Sequence, residues 1–389
     1  MSTAAWIDEE DENIRKQLPP FIVEKQERTP SWIVPPADYS RKRLRHEELE
    51  DALASTAPLL LSKHQKSEVA APRIASTFVL PRDMGRCVRW HPNSQVAVVS
   101  GSTKLYAFHA SGKYVECMMQ YDTKQQLSHF ALTSDGDTAV VVPRDGYIPF
   151  LFHLTEERTT RLDFLDTREN FVYRHNHKRS SITEKQSNFI TKIATRDNDT
   201  LRQLLAVANG QQVRLASLSA GTVVSHLALS DPVVDCAFTS LHELSVVLPT
   251  KVAFYDLRKT ATFVREMLDD GSVGTSCIGY SSTHIALGST SGVVNIYSRG
   301  QVAPLKVLKN LTTAINCISF GQGCKGACIA VSTPSQKAGF RLVSLPSCAV
   351  VPSFPDVASR HQFVHCVAFA PAAPVLSVGE RGRVSNYLV

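Results

Sequence analysis

The sequence lacks any apolar run near the 18 residues that a membrane-spanning helix requires. Its first fifteen residues are acidic and have no apolar core, so they do not form a secretory signal. No HExxH motif, Ser-His-Asp order or recognisable pair of catalytic carboxylates is present, and we therefore expect no enzyme activity. Nine cysteines, an odd number at irregular spacing, indicate reduced thiols in an intracellular compartment.

Residues 1–72 lack the apolar content of a packed core. They contain proline pairs, an acidic run and a basic cluster, with 10 Lys and Arg against 13 Asp and Glu. Such a segment buries too little area to offset its chain entropy, so we predict an extended, largely disordered N-terminal tail. A short partner-binding helix is predicted over 38–55. Its basic cluster fits either the face of that helix or a nuclear import signal; the cations are Arg41, Lys42, Arg43 and Arg45.

From residue 73 onward, short apolar runs alternate with glycine, serine, aspartate and proline, which is typical of strands and turns. A unit of three strands recurs seven times, in steps of 40 to 49 residues apart from one step of 63. The first strands of the units are predicted to end at Trp90, Leu132, Thr195, Phe238, Tyr280, Phe320 and Phe369. This period predicts an all-β fold, a seven-bladed WD40-like β-propeller over 73–389. That part of the chain has 32 Lys and Arg against 23 Asp and Glu, which favours an anionic neighbour.

Two features depart from a plain repeat. The last unit ends after its third strand, and residues 73–80 have the length and composition to supply its missing outer strand and so close the ring. The step of 63 residues predicts a long inserted loop at 155–187. Within this loop, Arg174, Lys178 and Arg179 are candidate contacts for RNA or a protein partner. The alternative is a solvated basic loop, since the insertion has 7 basic and 6 acidic residues.

The stretch GSTSGVVNIY (288–297) resembles a site of phosphate or nucleophile chemistry. A nucleophile elbow requires serine where Thr290 lies, and a phosphate-binding loop requires a lysine that does not follow. We therefore predict a hairpin turn between the second and third strands of the fifth unit.

Five cysteines fall on first strands of the repeat. We interpret them as small apolar residues of buried strands, because no closely spaced pairs suited to zinc accompany them. They are Cys87, Cys236, Cys277, Cys317 and Cys366. No metal or cofactor is expected.

The sequence YDLR (Tyr255–Arg258) is similar to the WDxR box that propeller adaptors present to ubiquitin ligases, with tyrosine in place of tryptophan. Propeller repeats also end in this way for packing alone. The alternative function is therefore that of a substrate adaptor for a cullin-type ubiquitin ligase.

The final 115 residues carry more specific strings. LGSTSGVVNIY, PLKVLKNLTTAINCISF, FRLVSLPSCAVVPSFP and VHCVAFAP, in this order and spacing, closely resemble the C-terminal blades of the U3 small nucleolar RNA-associated protein 18 family. AWIDEEDE near the N-terminus is similar to an acidic element of the same family. The resemblance is strong over 275–389, fair over 86–110 and 230–260, and weak between 120 and 215.

The resemblance implies a WD-repeat scaffold subunit of the small-subunit processome, in its B subcomplex with other propellers such as periodic tryptophan protein 2. It further implies action on precursor rRNA beside the U3 small nucleolar RNA particle, 18S rRNA maturation and a nucleolar location. Family members also recruit the exosome helicase through a short tail motif. The nearest segment here departs from that motif, because it has Phe21 and Val23 but lacks the leucine and ends in Glu24.

Overall fold

The computed structural model describes residues 72–111, 113–144, 148–166, 189–196, 203–259, 262–269, 273–323, 326–345, 347–352, 354–356 and 360–389. These residues form 28 β-strands and two short 3-10 turns, at Asp163–Leu165 and Leu257–Lys259, and contain no α-helix. None of the described residues forms a helix long and apolar enough to cross a membrane. The strands make seven four-stranded antiparallel sheets, so the predicted seven-bladed propeller is confirmed.

The first four blades follow the chain from the channel outward. Blade 1 has β2 (Cys87–Trp90), β3 (Val96–Ser100), β4 (Lys104–Ser111) and β5 (Tyr114–Asp122). Blade 2 has β6 (Leu127–Leu132), β7 (Thr138–Pro143), β8 (Phe150–His153) and β9 (Arg158–Arg161). Blade 3 has β10 (Ile190–Thr195), β11 (Leu204–Asn209), β12 (Gln212–Ser217) and β13 (Thr222–Ala228). Blade 4 has β14 (Asp235–Ser240), β15 (Glu243–Val247), β16 (Lys251–Asp256) and β17 (Thr262–Leu268).

The remaining three blades include the one that closes the ring. Blade 5 has β18 (Thr275–Tyr280), β19 (His284–Ser289), β20 (Val294–Ser298) and β21 (Lys306–Leu308). Blade 6 has β22 (Cys317–Gly323), β23 (Gly326–Ser332), β24 (Phe340–Ser344) and β25 (Ala349–Val350). Blade 7 has β26 (Cys366–Phe369), β27 (Val375–Gly379) and β28 (Arg381–Leu388), with β1 (Arg73–Met84) as its outer strand.

The pairing of β1 with β28 joins two strands about 300 positions apart in the chain. The register runs antiparallel from Arg73 opposite Leu388 to Met84 opposite Arg381. Phe78 on β1 is fully buried and stacks on Phe108 of blade 1, with ring centroids 4.6 Å apart. β1 therefore covers the edge of blade 7 and also contributes to the packing between blades 7 and 1.

Burial explains why each strand has its composition. Second strands such as β7 (TAVVVP) lie between two neighbours within a blade and are almost entirely buried, so they are continuous apolar runs. Outer strands such as β17 alternate between exposed and less exposed positions and carry charges. Seven clusters of buried apolar side chains lie between neighbouring blades, one at each junction around the ring. Most of the core therefore lies between the sheets rather than at the centre of the ring.

The predicted ends of the first strands agree with β2, β6, β10, β18 and β26. The other two strands, β14 and β22, continue to Ser240 and Gly323 because both extend their pairing with the following strand. The range predicted as an inserted loop contains β9 and the turn Asp163–Leu165, in which Leu165 is fully buried. Residues 167–187 of that range lie outside the described residues.

The stretch at 288–297 is the predicted turn between β19 and β20. Gly292 has a φ of +88°, and a Cβ built on it would lie 2.6 Å from the carbonyl oxygen of Leu311. Ser289 Oγ accepts a hydrogen bond from the backbone N–H of Ser291 at 3.2 Å. Glycine is thus required here for two reasons: the backbone is left-handed, and the next loop approaches too closely for a Cβ atom. The serines stabilise the turn by their hydrogen bond.

Candidate functional site

The central channel is a cavity of about 800 Å³ lined by the inner strands of all seven blades. Every inner strand starts at the same end of the ring, because each blade repeats the same antiparallel order. Side chains at equivalent positions are therefore presented to a common space. The polar and ionisable residues among them define the candidate site.

The channel contains three permanent cations and one carboxylate among its lining residues. Arg86 and Arg89 come from blade 1, Lys192 from blade 3 and Asp235 from blade 4. Asp235 raises the pKa of Lys192, outweighing the opposite effect of burial. The pKa of Arg89 is also raised, chiefly by Cys87 among the surrounding thiols. The channel therefore has an excess of positive charge.

Asp235 is held by the backbone rather than by a neighbouring cation. Its Oδ1 accepts a hydrogen bond from the N–H of Cys236 at 2.9 Å, and its Oδ2 accepts one from the N–H of Ile278 at 3.2 Å. The second bond crosses from blade 4 to blade 5. This carboxylate is thus largely satisfied by its own scaffold.

The two histidines that line the channel are neutral near physiological pH. Burial lowers the pKa of His129 to about 3, with further lowering by Lys192 and Arg89. Burial also lowers the pKa of His365, with Arg86 contributing in the same direction. Ser128 Oγ lies 3.1 Å from His129 Nδ1, whereas His129 Nε2 is buried and has no hydrogen-bond partner among the described residues.

The five first-strand cysteines also line the channel. Burial raises the pKa values of Cys236, Cys277, Cys317 and Cys366, so these thiols remain protonated. Cys236, Cys277 and Cys366 are buried as expected, whereas Cys87 and Cys317 are only half-buried. No cluster of three or more metal-ligating side chains occurs in the part of the chain that the structure describes.

Four of these thiols make a contact that the sequence did not predict. Each donates to a carbonyl in the next blade around the ring. The pairs are Cys87 Sγ to Phe130 O at 3.8 Å, Cys277 Sγ to Ile315 O at 3.7 Å, Cys317 Sγ to Val367 O at 3.3 Å and Cys366 Sγ to Gly85 O at 3.5 Å. The cysteines therefore join neighbouring inner strands as well as filling space.

Buried polar networks join the loop before an inner strand to the third strand of the same blade. In blade 5, Asp269 accepts hydrogen bonds from Thr275 Oγ1 at 3.0 Å, Asn295 Nδ2 at 2.8 Å and the Tyr297 hydroxyl at 2.9 Å. These contacts fix the geometry at the channel mouth.

Blades 1 and 7 use the same arrangement with other residues. Asp83 accepts a hydrogen bond from the Tyr106 hydroxyl at 3.2 Å in blade 1. In blade 7, the Tyr387 hydroxyl lies 2.6 Å from His361 Nε2, and His361 Nδ1 contacts Glu380. The tyrosine follows its loop partner by 23 positions in blade 1, 26 in blade 7 and 28 in blade 5, so no fixed spacing in the sequence marks these networks.

The YDLR segment is divided between core and surface. Tyr255 is buried between blades 3 and 4 and makes an edge contact with Phe263, with ring centroids 5.9 Å apart. Arg258 is exposed and lies 2.6 Å from Asp256 Oδ2. Hydrogen bonds from Arg258 lower the pKa of Asp256 to about 2. The tyrosine therefore has a packing role, and the arginine is free to contact a partner only by leaving this ion pair.

The circumference of the ring carries exposed apolar side chains on outer strands. Val264 and Leu268, on the outward face of β17, are 53% and 64% exposed. Tyr114 and Met118 on β5 are exposed to a similar degree. Apolar side chains grouped on one edge of a blade are typical of protein-binding surfaces.

The remaining predicted site residues lie outside the described residues, and their roles stay predictions. This group includes the loop cations Arg174, Lys178 and Arg179, the basic cluster Arg41, Lys42, Arg43 and Arg45, and the tail residues Phe21, Val23 and Glu24.

No protein-family model matches the chain. The chain is similar to curated proteins from fungi, animals and a plant that all bear the name U3 small nucleolar RNA-associated protein 18 or homolog of it, which confirms the predicted resemblance. "Probable U3 small nucleolar RNA-associated protein 18" of Schizosaccharomyces pombe is 24% identical over 340 residues, 82% of this chain and 62% of the relative.

Two further relatives match shorter stretches at higher identity. The Saccharomyces cerevisiae protein is 32% identical over 154 residues, covering 33% of this chain and 26% of its own length. The Homo sapiens homolog is 30% identical over 134 residues, covering 32% of this chain and 24% of its own length. The matches thus span less than two thirds of the length of these relatives.

Proposed function

We propose that this chain is a non-enzymatic scaffold subunit of the small-subunit processome, acting in precursor rRNA processing, 18S rRNA maturation and small ribosomal subunit biogenesis. The observation that carries the proposal is the shared name of its relatives, which are U3 small nucleolar RNA-associated proteins in fungi, human, plant and worm. Their name supports a location in the nucleus and nucleolus for this chain as well.

The geometry supports a scaffold for a physical reason. A closed ring of seven sheets has two faces and a circumference, so several partners can bind a rigid body at once. The exposed pair Val264 and Leu268 provides one such surface on blade 4. In this proposal the partners are the other propeller subunits of the B subcomplex, including periodic tryptophan protein 2, and the U3 particle with its precursor rRNA.

The chemistry of the channel also supports a role without catalysis. Its thiols have raised pKa values, which makes them poor nucleophiles. The positive charge of the propeller suits a particle rich in RNA, where protein contacts supply most of the specificity.

Affinity purification of the tagged full chain from its own cells tests this proposal. Sequencing of the bound small RNAs should show enrichment of U3, and mass spectrometry should show other propeller subunits. Recovery of cullin-type ligase subunits without U3 would overturn the proposal in favour of a ubiquitin-ligase adaptor. In that case Arg258→Ala should abolish the recovery of those subunits, whereas under the processome proposal this change has little effect.

A paired set of variants tests the blade 4 surface in the same experiment. Val264→Glu with Leu268→Glu places two charges on an apolar edge and should reduce the recovery of protein partners. Thr222→Glu with His226→Glu adds charges at exposed polar positions of the outer strand of blade 3 and should leave recovery unchanged. Equal recovery with both pairs would exclude blade 4 as a scaffold surface.

A further inference from the structure

The cations of the central channel lack ion-pair partners among the residues that the structure describes, although Arg89 is exposed and Lys192 is half-buried. Among the described residues, neither the Arg89 guanidinium nor the Lys192 ammonium has an ion-pair partner within 4 Å, although eight such pairs occur elsewhere. The channel carboxylate, Asp235, is instead bonded to two backbone N–H groups. Asp235 raises the pKa of Lys192 without forming an ion pair within 4 Å, so one carboxylate faces three cations in this cavity.

Two side-chain nitrogen atoms of channel-lining residues are buried behind the cavity wall and have no hydrogen-bond partner among the described residues. They are Arg86 Nε and His129 Nε2. A buried polar atom without a partner costs stability unless water or a ligand satisfies it. Both atoms belong to residues that line the channel.

The arrangement of these groups indicates what kind of ligand fits. Arg89, His129 and Lys192 lie on blades 1, 2 and 3, and both cations lower the pKa of the histidine between them. A ligand that contacts both cations must therefore extend across blade 2. A molecule with anionic groups at two or more points meets this requirement.

The walls of the channel limit the size of the ligand. The cavity of about 800 Å³ is enclosed by seven inner strands, which suits a compact molecule. Phosphate groups match guanidinium and ammonium donors in charge and geometry. We propose that the central channel binds a compact small molecule that carries several phosphate groups, with Arg89 and Lys192 as its principal contacts and Arg86 as a further cation of the wall. This proposal does not depend on the proposed function.

Direct binding to the purified full chain tests the site. Inositol hexakisphosphate and inorganic tripolyphosphate are the probes, titrated by calorimetry at low and high NaCl. We expect binding at low salt that weakens as salt rises, because the contacts are ionic. No detectable binding of either probe at about 1 mM would overturn the proposal.

Matched charge removals assign the binding to the channel. Arg89→Gln with Lys192→Gln should weaken binding by at least about tenfold. Arg73→Gln with Lys113→Gln removes the same two charge types from exposed positions outside the channel and should change affinity less than about threefold. Equal losses in the two pairs would show nonspecific attraction to a basic protein and would contradict the channel site.

Two further arms keep the outcome clear. If the double variant Arg89→Gln, Lys192→Gln has a lower melting temperature than the wild type, the single variant Lys192→Met is used instead, because methionine keeps most of the side-chain length. Lys113→Met is then the matched control. A short RNA oligonucleotide serves as competitor. The contrary result is RNA that binds more tightly than either probe and loses that binding only in the double variant Arg89→Gln, Lys192→Gln. This result would show that the channel binds the phosphates of a macromolecule, and it would overturn the small-molecule proposal.

Discussion

Asp235 Oδ2 on blade 4 accepts a hydrogen bond from the backbone N–H of Ile278 on blade 5 at 3.2 Å. This contact joins an inner strand to its neighbour through the only carboxylate among the described channel-lining residues. The same carboxylate raises the pKa of Lys192 on the neighbouring blade 3. One residue therefore links the packing of the ring to the charge of its centre.

Asp235→Ala is expected to destabilise the propeller. The change removes two hydrogen bonds to a charged acceptor and leaves two buried N–H groups without partners, at a cost of about 2–4 kcal/mol. Chemical denaturation followed by tryptophan fluorescence measures this loss. Asp137→Ala, at an exposed turn where the side chain makes no hydrogen bond, is the control and should change stability by less than about 0.5 kcal/mol.

The lowered pKa of His129 predicts how the stability of the propeller depends on pH. Its pKa in the folded protein is lowered to about 3, below the value near 6.5 that an unfolded chain has. The unfolded state therefore binds more protons between these values, and stability should fall as the pH drops from 6.5 toward 3. Between pH 7 and pH 5, the His129→Gln variant should lose about 1 kcal/mol less of its free energy of unfolding than the wild type does. This figure is smaller than the full effect of the pKa shift because water enters the channel.

Melting temperatures across this pH range measure the effect. His226→Gln, at an exposed position of β13, is the matched control. An identical pH profile for wild type and His129→Gln, with the control also unchanged, would show that the imidazole is not shielded from protonation.

Gly292 and Gly300 have nearly the same φ but different surroundings. Alanine substitutions at the two positions therefore separate the cost of backbone strain from the cost of steric crowding. Gly292→Ala meets a φ of +88° and a carbonyl oxygen 2.6 Å from the new Cβ, so we expect a loss of about 3 kcal/mol or more. Gly300→Ala meets a φ of +89° with no atom within 4 Å, and should lose about 1 kcal/mol. Equal losses in denaturation experiments would mean that the close approach to Leu311 is relieved by a small shift.

Closure of the ring by β1 predicts that substitutions of two adjacent residues on this strand have different effects on stability. Phe78→Ala empties a fully buried site between blades 7 and 1 and should cost about 3–5 kcal/mol. Val79→Ala alters a side chain that is 65% exposed on the same strand and should cost less than about 1 kcal/mol. Hydrogen exchange should show faster exchange of β28 amides in the first variant, while unchanged exchange there would argue against closure by β1.

The fold could be predicted because its signal is repeated. Runs such as VAVVS and HIALGS, followed by turns at similar spacing, identify buried second strands seven times over, and each repeat supports the others. The turn at Thr290 and Gly292 was also predictable, since the residues required by the competing motifs are missing.

The channel site could not be predicted from the sequence. Arg89 and Lys192 are about 100 positions apart, each is a single charge within an apolar strand, and no local spacing connects them. Only the common register of the inner strands brings them to one cavity. The same holds for the contact of Trp90 Nε1 with Ser377 Oγ at 2.9 Å, which joins blade 1 to blade 7.

Closure by β1 has a consequence for how the protein is made. The ribosome delivers β1 before the other strands of the described residues, yet its partner β28 is synthesised about 300 residues later. At 5–20 residues per second this delay is roughly 15–60 s. During that time the apolar side of β1, with Phe78 and Leu80, has no native partner. The nascent chain therefore exposes this segment until the last blade emerges, and chaperones that bind apolar stretches would be expected to act during that time.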